Sequence, residues 1–196
     1  MQRKWKKTLA AKESAQRYKA STKGKERIQS WKASENGRKS RQKTYKKLKS
    51  NPGAYLWHKL QCKIRSMLTS GVTSKTVRAY AEFQTSADVY SHFSSLFEDG
   101  MTMQNCGHDT ASTLKWHIGH RIAKSMYDPS NEEDARHCWS KLNLFPQWGK
   151  ENMRLKVQLP CDEELLRLRA IWPQSWKNQL PDAECRREFE RRAMGR

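Results

Sequence analysis

The sequence predicts an α+β chain. It is mostly helical, with one small unit of strands and helix in its second half, and it is preceded by a basic repeat arm that is helical or disordered. Three observations carry this expectation. Charge is distributed unevenly along the chain, apolar residues recur at helical spacing between Leu56 and Phe97, and residues 97–156 hold a run of Trp, His and Asn that neither pattern explains.

The 196 residues carry 39 Lys+Arg against 20 Asp+Glu, a net +19, with a mean hydropathy of −1.03. Residues 1–50 hold 18 of the cations and 3 of the acids, net +15, which leaves 21 and 17, net +4, for residues 51–196. The first segment is too poor in aliphatic side chains to offset its ordering entropy by burial, so it builds no core of its own. The remainder has the size of one ordinary domain. No run approaches the ~20 apolar residues of a membrane span, and nothing resembles a signal-peptide core. These points argue against the membrane and secreted classes. The expectation is an intracellular protein, with nuclear, cytoplasmic or viral, and organellar compartments left open. The basic, Ser-containing N-terminus also has the composition of a mitochondrial transit peptide. Cys62, Cys106, Cys138, Cys161 and Cys185 are odd in number, widely spaced and without a CxxC pair. They support neither a zinc ribbon nor a disulfide framework.

Residues 1–50 are repetitive. Trp5, Tyr18 and Trp31 recur at intervals of 13, and Tyr45 follows at 14. Two units stand out, Tyr18-Lys-Ala-Ser-Thr-Lys-Gly-Lys and Trp31-Lys-Ala-Ser-Glu-Asn-Gly-Arg. Ser offers an N-cap and Gly an interruption, so the arm reads as short helical pieces. Thirteen residues make about 3.6 turns, so the aromatics do not share a face of a continuous helix, and a coiled coil is disfavoured. The period is also shorter than that of common solenoids. Cations interleaved with single aromatics suit a phosphate backbone with exposed bases. The candidate nucleic-acid contacts are Lys19, Lys23, Lys25, Lys32, Arg38, Lys39, Tyr18 and Trp31. A solvated tail, a targeting segment and an acidic protein partner fit the same composition. No sequence preference can be read.

Asn51-Pro52-Gly53 reads as a turn that closes the arm. Residues 51–100 form a helical lead-in. Leu56, Leu60, Ile64, Met67 and Leu68 line one helix with Gly71 as its stop. Ser86-Ala-Asp88 opens a second helix with Val89, Phe93, Leu96 and Phe97, ended by Glu98-Asp99-Gly100. Residues 161–196 read as C-terminal helices. One is amphipathic over Asp162–Trp172 with Leu165, Leu166, Leu168 and Ile171. After breaks at Trp172-Pro173 and Leu180-Pro181 comes a highly charged one over Cys185–Ala193.

Between them lie Phe97-Glu-Asp-Gly-Met-Thr-Met-Gln-Asn105, then Leu114-Lys-Trp-His117-Ile-Gly-His120-Arg-Ile122, then Asp128-Pro129 and a short acidic helix at Asn131–Trp139. Leu142-Asn143-Leu-Phe-Pro-Gln-Trp148-Gly-Lys-Glu-Asn152-Met-Arg-Leu-Lys156 completes the stretch. In order and spacing it resembles the HNH family of endonucleases, the ββα-metal or His-Me finger enzymes, in the form found in phages and large DNA viruses. The resemblance covers about 60 residues and implies a ββα unit within residues 101–160. It implies metal-dependent phosphodiester hydrolysis with a divalent metal, Mg or Mn, as cofactor; without activity there is none. It further implies His120 as general base, Asn143 as the framework residue that holds the loop and orients the base, and Asn152 as a metal ligand. Arg121, Arg154 and Lys156 become phosphate contacts. The sequence departs from the pattern at Gly119, where the family has a metal-binding Asp. His117, two residues earlier and on the same strand face, is a second metal candidate, and its imidazole favours a transition metal over Mg²⁺. Trp116, Trp139, Trp148, Phe145 and Pro146 read as packing for the small unit, and His58, His92, His108 and His137 as structural or surface residues.

The expected partner is nucleic acid, DNA ahead of RNA, with no membrane span and membership of a larger assembly left open. The expected function is an HNH-type endonuclease, and the alternative is a non-catalytic nucleic-acid-binding subunit of a ribonucleoprotein, such as an organellar ribosome, built on an inactive HNH-like fold.

Overall fold

The computed structural model describes residues 9–68, 80–107, 114–155 and 159–194, so Trp5, Gly71, His108 and Lys156 lie outside the described residues. The chain divides into two compact units, residues 1–50 and 51–196.

In the first unit, α1 (Leu9–Ala20), α2 (Thr22–Ala33) and α3 (Glu35–Lys49) follow one another with single residues between them. These residues are Ser21 and Ser34. Their extended backbones interrupt the helix, and their side chains cap the next one at the amides of Gly24 and Gly37. Among the described residues of this unit only Ala11, Gly24 and Gly37 are buried, as expected of a segment without a core.

The second unit opens with α4 (Pro52–Met67). The Asn51 side chain accepts from the Ala54 amide at 3.0 Å, and Pro52 occupies the first turn, so Asn51-Pro52-Gly53 starts a helix where a turn was expected. Leu56, Leu60 and Ile64 recur every four residues, and with Trp57 they pack on α5 (Ser86–Ser94), whose Val89 and Phe93 are fully buried. A capping box between Thr85 and Asp88 fixes the start of α5. The helix ends at Ser94, short of the expected Phe97. Leu96 turns to solvent and the Phe97 ring sits 5.3 Å from that of Trp116. Gly100, at φ +80, takes the left-handed conformation that closes this turn.

The sheet has two antiparallel strands, β1 (Trp116–His120) and β2 (Leu144–Trp148), with Trp116 opposite Trp148 and His120 opposite Leu144. Pro146 is tolerated because each strand of a two-stranded sheet is an edge. Residues 121–143 connect the strands and contain α6 (Glu132–Cys138), capped by Asn131. The helix α7 (Gly149–Leu155) follows β2 directly. The expected single helix over Asp162–Trp172 is instead α8 (Asp162–Arg167) plus a 3-10 turn at Arg169–Ile171. The Trp172 indole donates to the Leu165 carbonyl at 2.8 Å, which buries Leu165, Leu168 and Ile171 while Leu166 faces solvent. The charged helix α9 (Ala183–Met194) ends the described chain. The core runs from the α4–α5 pair through Trp116 and Leu144 to Trp139, Leu165 and Trp172. Trp116 is its pivot, with its ring on Phe93 at 5.7 Å and its indole donating to the Thr102 carbonyl at 2.7 Å.

Candidate functional site

Strand parity divides the residues of the hairpin between two faces. Trp116, Ile118 and His120 point one way. His117 and Gly119 point the other, opposite Gln147 and Phe145 of β2. Because α7 starts at the end of β2, its Asn152 reaches the second face. The Asn152 side-chain amide lies 3.2 Å from His117 Nδ1. Both residues are half-buried, and His117 Nε2, like that of His120, is buried.

His120 is on the other face and is not brought to this pair. Its ring meets the Trp139 ring edge-to-face at 4.9 Å, and its Nε2 is buried without a protein partner among the described residues. Burial, with the ammonium groups of Lys63 and Lys124 nearby, pulls its pKa down to about 3. Its Nε2 is thus turned into the interior, away from the His117–Asn152 pair. In this arrangement His120 packs against Trp139, on the strand face away from the His117–Asn152 pair, and does not present its Nε2 to water as the expected general-base role requires.

Asn143 is fully buried, with its side-chain hydrogen bonds directed at backbone. Its Oδ1 accepts from the Ile122 amide at 2.8 Å, and its Nδ2 donates to the carbonyls of Ile122 at 3.2 Å and Cys138 at 2.9 Å. Its own carbonyl accepts from the Arg121 amide at 2.9 Å. It thereby joins the end of β1 to the start of β2. Asn105 does similar work earlier in the chain, accepting from the Thr102 amide and donating to the Gly100 carbonyl.

Gly119 sits under Gln147. A Cβ there would lie 2.9 Å from Gln147 Oε1, 3.0 Å from Gln147 Cβ and 3.1 Å from the Phe145 ring, so a side chain at this position would meet Gln147 and Phe145. Arg121 is held by Glu164 at 3.2 Å and lies 4.9 Å over the Phe145 ring, which leaves it less available to phosphate than a free cation. It borders a cleft of about 400 Å³ lined also by Leu142, Cys161, Glu163 and Glu164. Arg154 is exposed in the last turn of α7. In the arm, Lys19, Lys23, Lys25, Lys32, Arg38 and Lys39 are exposed, and Lys39 pairs with Glu35.

One cluster has no signal in the linear sequence beyond the i,i+4 spacing of Lys59 and Lys63. These two residues of α4 lie near Lys124 and Cys106, with Lys115 also beside Cys106, and Lys59 Nζ is 3.7 Å from Cys106 Sγ. Burial and the charges of Lys59 and Lys124 lower the pKa of Lys63, and burial raises that of Cys106. His92 and His137 are structural, with ring nitrogens on the carbonyls of Leu144 at 2.8 Å and Trp172 at 3.1 Å.

Among the described residues, no three His, Cys, Asp or Glu side chains converge as a metal site. At the hairpin the Asn152 amide nitrogen and His117 Nδ1 face each other and His117 Nε2 is buried, so an ion held here would replace that contact and take an imidazole nitrogen and an amide oxygen as donors, a set that suits a borderline ion such as Mn²⁺ better than Mg²⁺. No helix is long and apolar enough to cross a membrane among the described residues. No protein-family model, no curated protein and no solved structure matches the chain.

Proposed function

We propose that the chain is a nucleic-acid-binding protein whose β1–β2–α7 unit is an HNH-type endonuclease centre, acting on DNA ahead of RNA. The observation that supports this most is the pairing of His117 with Asn152 at 3.2 Å across a strand–loop–strand–helix unit whose loop is pinned by Asn143. When bound, a divalent ion supplies charge stabilisation at the phosphate and the leaving oxygen. His117 and Asn152 are the residues that would hold it. Asn143 ties the end of β1 to the start of β2 through the Arg121 amide and the Ile122 backbone. Arg154 is exposed two residues from Asn152, as Lys150 is on its other side, and contacts the phosphate backbone. The basic arm supplies most of the sequence-independent affinity through counterion release.

A second reading, nucleic-acid binding without cleavage, is favoured by one specific observation: Gly119 replaces the carboxylate, and a side chain at this position would meet Gln147. Nicking of supercoiled plasmid with Mn²⁺ or Mg²⁺ separates the two. Metal-dependent nicking that disappears in His117→Ala and Asn152→Ala supports the endonuclease. Binding without metal-dependent nicking supports the second reading.

A further inference from the structure

The two corners of the arm have the same construction. Ser21 and Ser34 adopt φ −67, ψ 157 and φ −66, ψ 158. Each hydroxyl donates backwards to the carbonyl three residues earlier, Tyr18 at 2.7 Å and Trp31 at 2.6 Å, and accepts forwards from an amide three residues on, Gly24 at 3.2 Å and Gly37 at 3.1 Å. A Cβ on Gly24 would lie 1.9 Å from the Tyr18 carbonyl oxygen, and one on Gly37 1.9 Å from that of Trp31. Only a glycine Cα–H can face a carbonyl so closely. The repeat therefore has a backbone reason for its Ser and its Gly.

It has no backbone reason for its aromatic. Any residue supplies the carbonyl that Ser and Gly require. Yet a ring stands at that position in both units, 43% exposed for Tyr18 and 51% for Trp31. A large ring held in solvent on a backbone locked by three hydrogen-bonding groups is a ready surface for a flat partner, with little ordering cost left for binding.

The charge around the rings selects the partner. Residues 1–50 carry net +15, and exposed Lys19 and Lys32 directly follow the two rings. A polyanion with free π-faces answers both features. A duplex supplies the charge but keeps its bases stacked inside, and an acidic peptide supplies the charge without regular flat faces. We infer that the arm is a ladder of single-stranded nucleic-acid sites in which Tyr18 and Trp31 each stack one base and the neighbouring lysines hold the phosphates. This deepens the nucleic-acid reading above and rests on it.

The test uses the full-length chain with three probes at one salt concentration: an oligothymidylate single strand, a mixed-sequence duplex of equal length, and polyglutamate. Variants Tyr18→Leu and Trp31→Leu remove the π-face while keeping an apolar side chain, and Lys19→Gln serves as the charge control. Far-UV circular dichroism verifies that the helices persist. The expected result is tighter binding to the single strand than to the duplex, with a loss of about fivefold or more per Leu variant on the single strand alone. Lys19→Gln weakens binding to both nucleic acids and lowers the salt slope. Equal binding to both forms, with the Leu variants unaffected, overturns the stacking ladder and leaves nucleic-acid binding standing. Binding to polyglutamate as tight as to nucleic acid, or no binding to either nucleic acid, overturns both.

Discussion

Acidification tests where His120 lies. Its folded-state pKa is about 3 against an ordinary 6.5, because the ring is buried beside Trp139 with Lys63 and Lys124 nearby. The folded state therefore excludes a proton that the unfolded chain accepts. The stability contribution is complete above pH 6.5 and falls as pH drops through 6.5 towards 3. Each pH unit within that window is worth about 1.4 kcal/mol, so pH 5 costs about 2 kcal/mol relative to neutral. His92, whose pKa is also lowered by burial, adds a loss of the same sign. The carboxylates of Asp88, Asp128 and Asp182 have lowered pKa values, and their contribution is lost only on further acidification. Urea unfolding followed by tryptophan fluorescence at pH 7 and pH 5 measures the difference, and His120→Leu should remove most of it. An unchanged pH dependence in the variant would refute the buried placement and return His120 to the solvent, where a general base belongs.

Asn143→Ala strands the Ile122 amide and the carbonyls of Ile122 and Cys138, so it should cost about 3 kcal/mol or more, read as a fall in melting temperature of about 6 °C or more. Gly119→Asp alone should not strengthen metal-dependent activity, because its Cβ meets Gln147 and Phe145; overpacking of this kind costs about 1–3 kcal/mol. Gly119→Asp combined with Gln147→Ala clears the space and should raise nicking in Mg²⁺ above the wild-type rate. Replacing Lys19, Lys23, Lys25 and Lys32 by Gln should flatten the salt dependence of nucleic-acid binding, by about 0.7–0.9 in slope for each phosphate no longer neutralised.

Local signals in the sequence account for much of the fold. Apolar spacing placed α4, and Ser86-Ala-Asp88 placed the start of α5, whose cap proves to be Thr85. The corner serines announced the caps of the arm's helices, whereas Gly24 and Gly37, expected to interrupt the helices, lie in their first turns and the breaks fall at Ser21 and Ser34 instead. The errors lie where tertiary contacts override local pattern. Asn51-Pro52-Gly53 looks like a turn, yet a capping Asn followed by Pro is equally a helix start, and packing of α4 on α5 decides it. The break after Arg167 depends on an indole reaching back to the Leu165 carbonyl, which no periodicity reports. At the site, parity along Trp116–His120 was enough to separate His117 from His120, and the structure adds that the face with Asn152 is that of His117. The lysine cluster around Cys106 comes from separate segments and becomes visible only once the chain is folded.

The most direct measurement of the central claim is nicking of supercoiled plasmid by the full-length protein in Mn²⁺, compared with its His117→Ala, Asn152→Ala and His120→Leu variants below their unfolding temperatures. The account predicts nicking by the wild type, its loss in the first two variants, and its retention in His120→Leu. Nicking that survives His117→Ala and Asn152→Ala but vanishes in His120→Leu would contradict it.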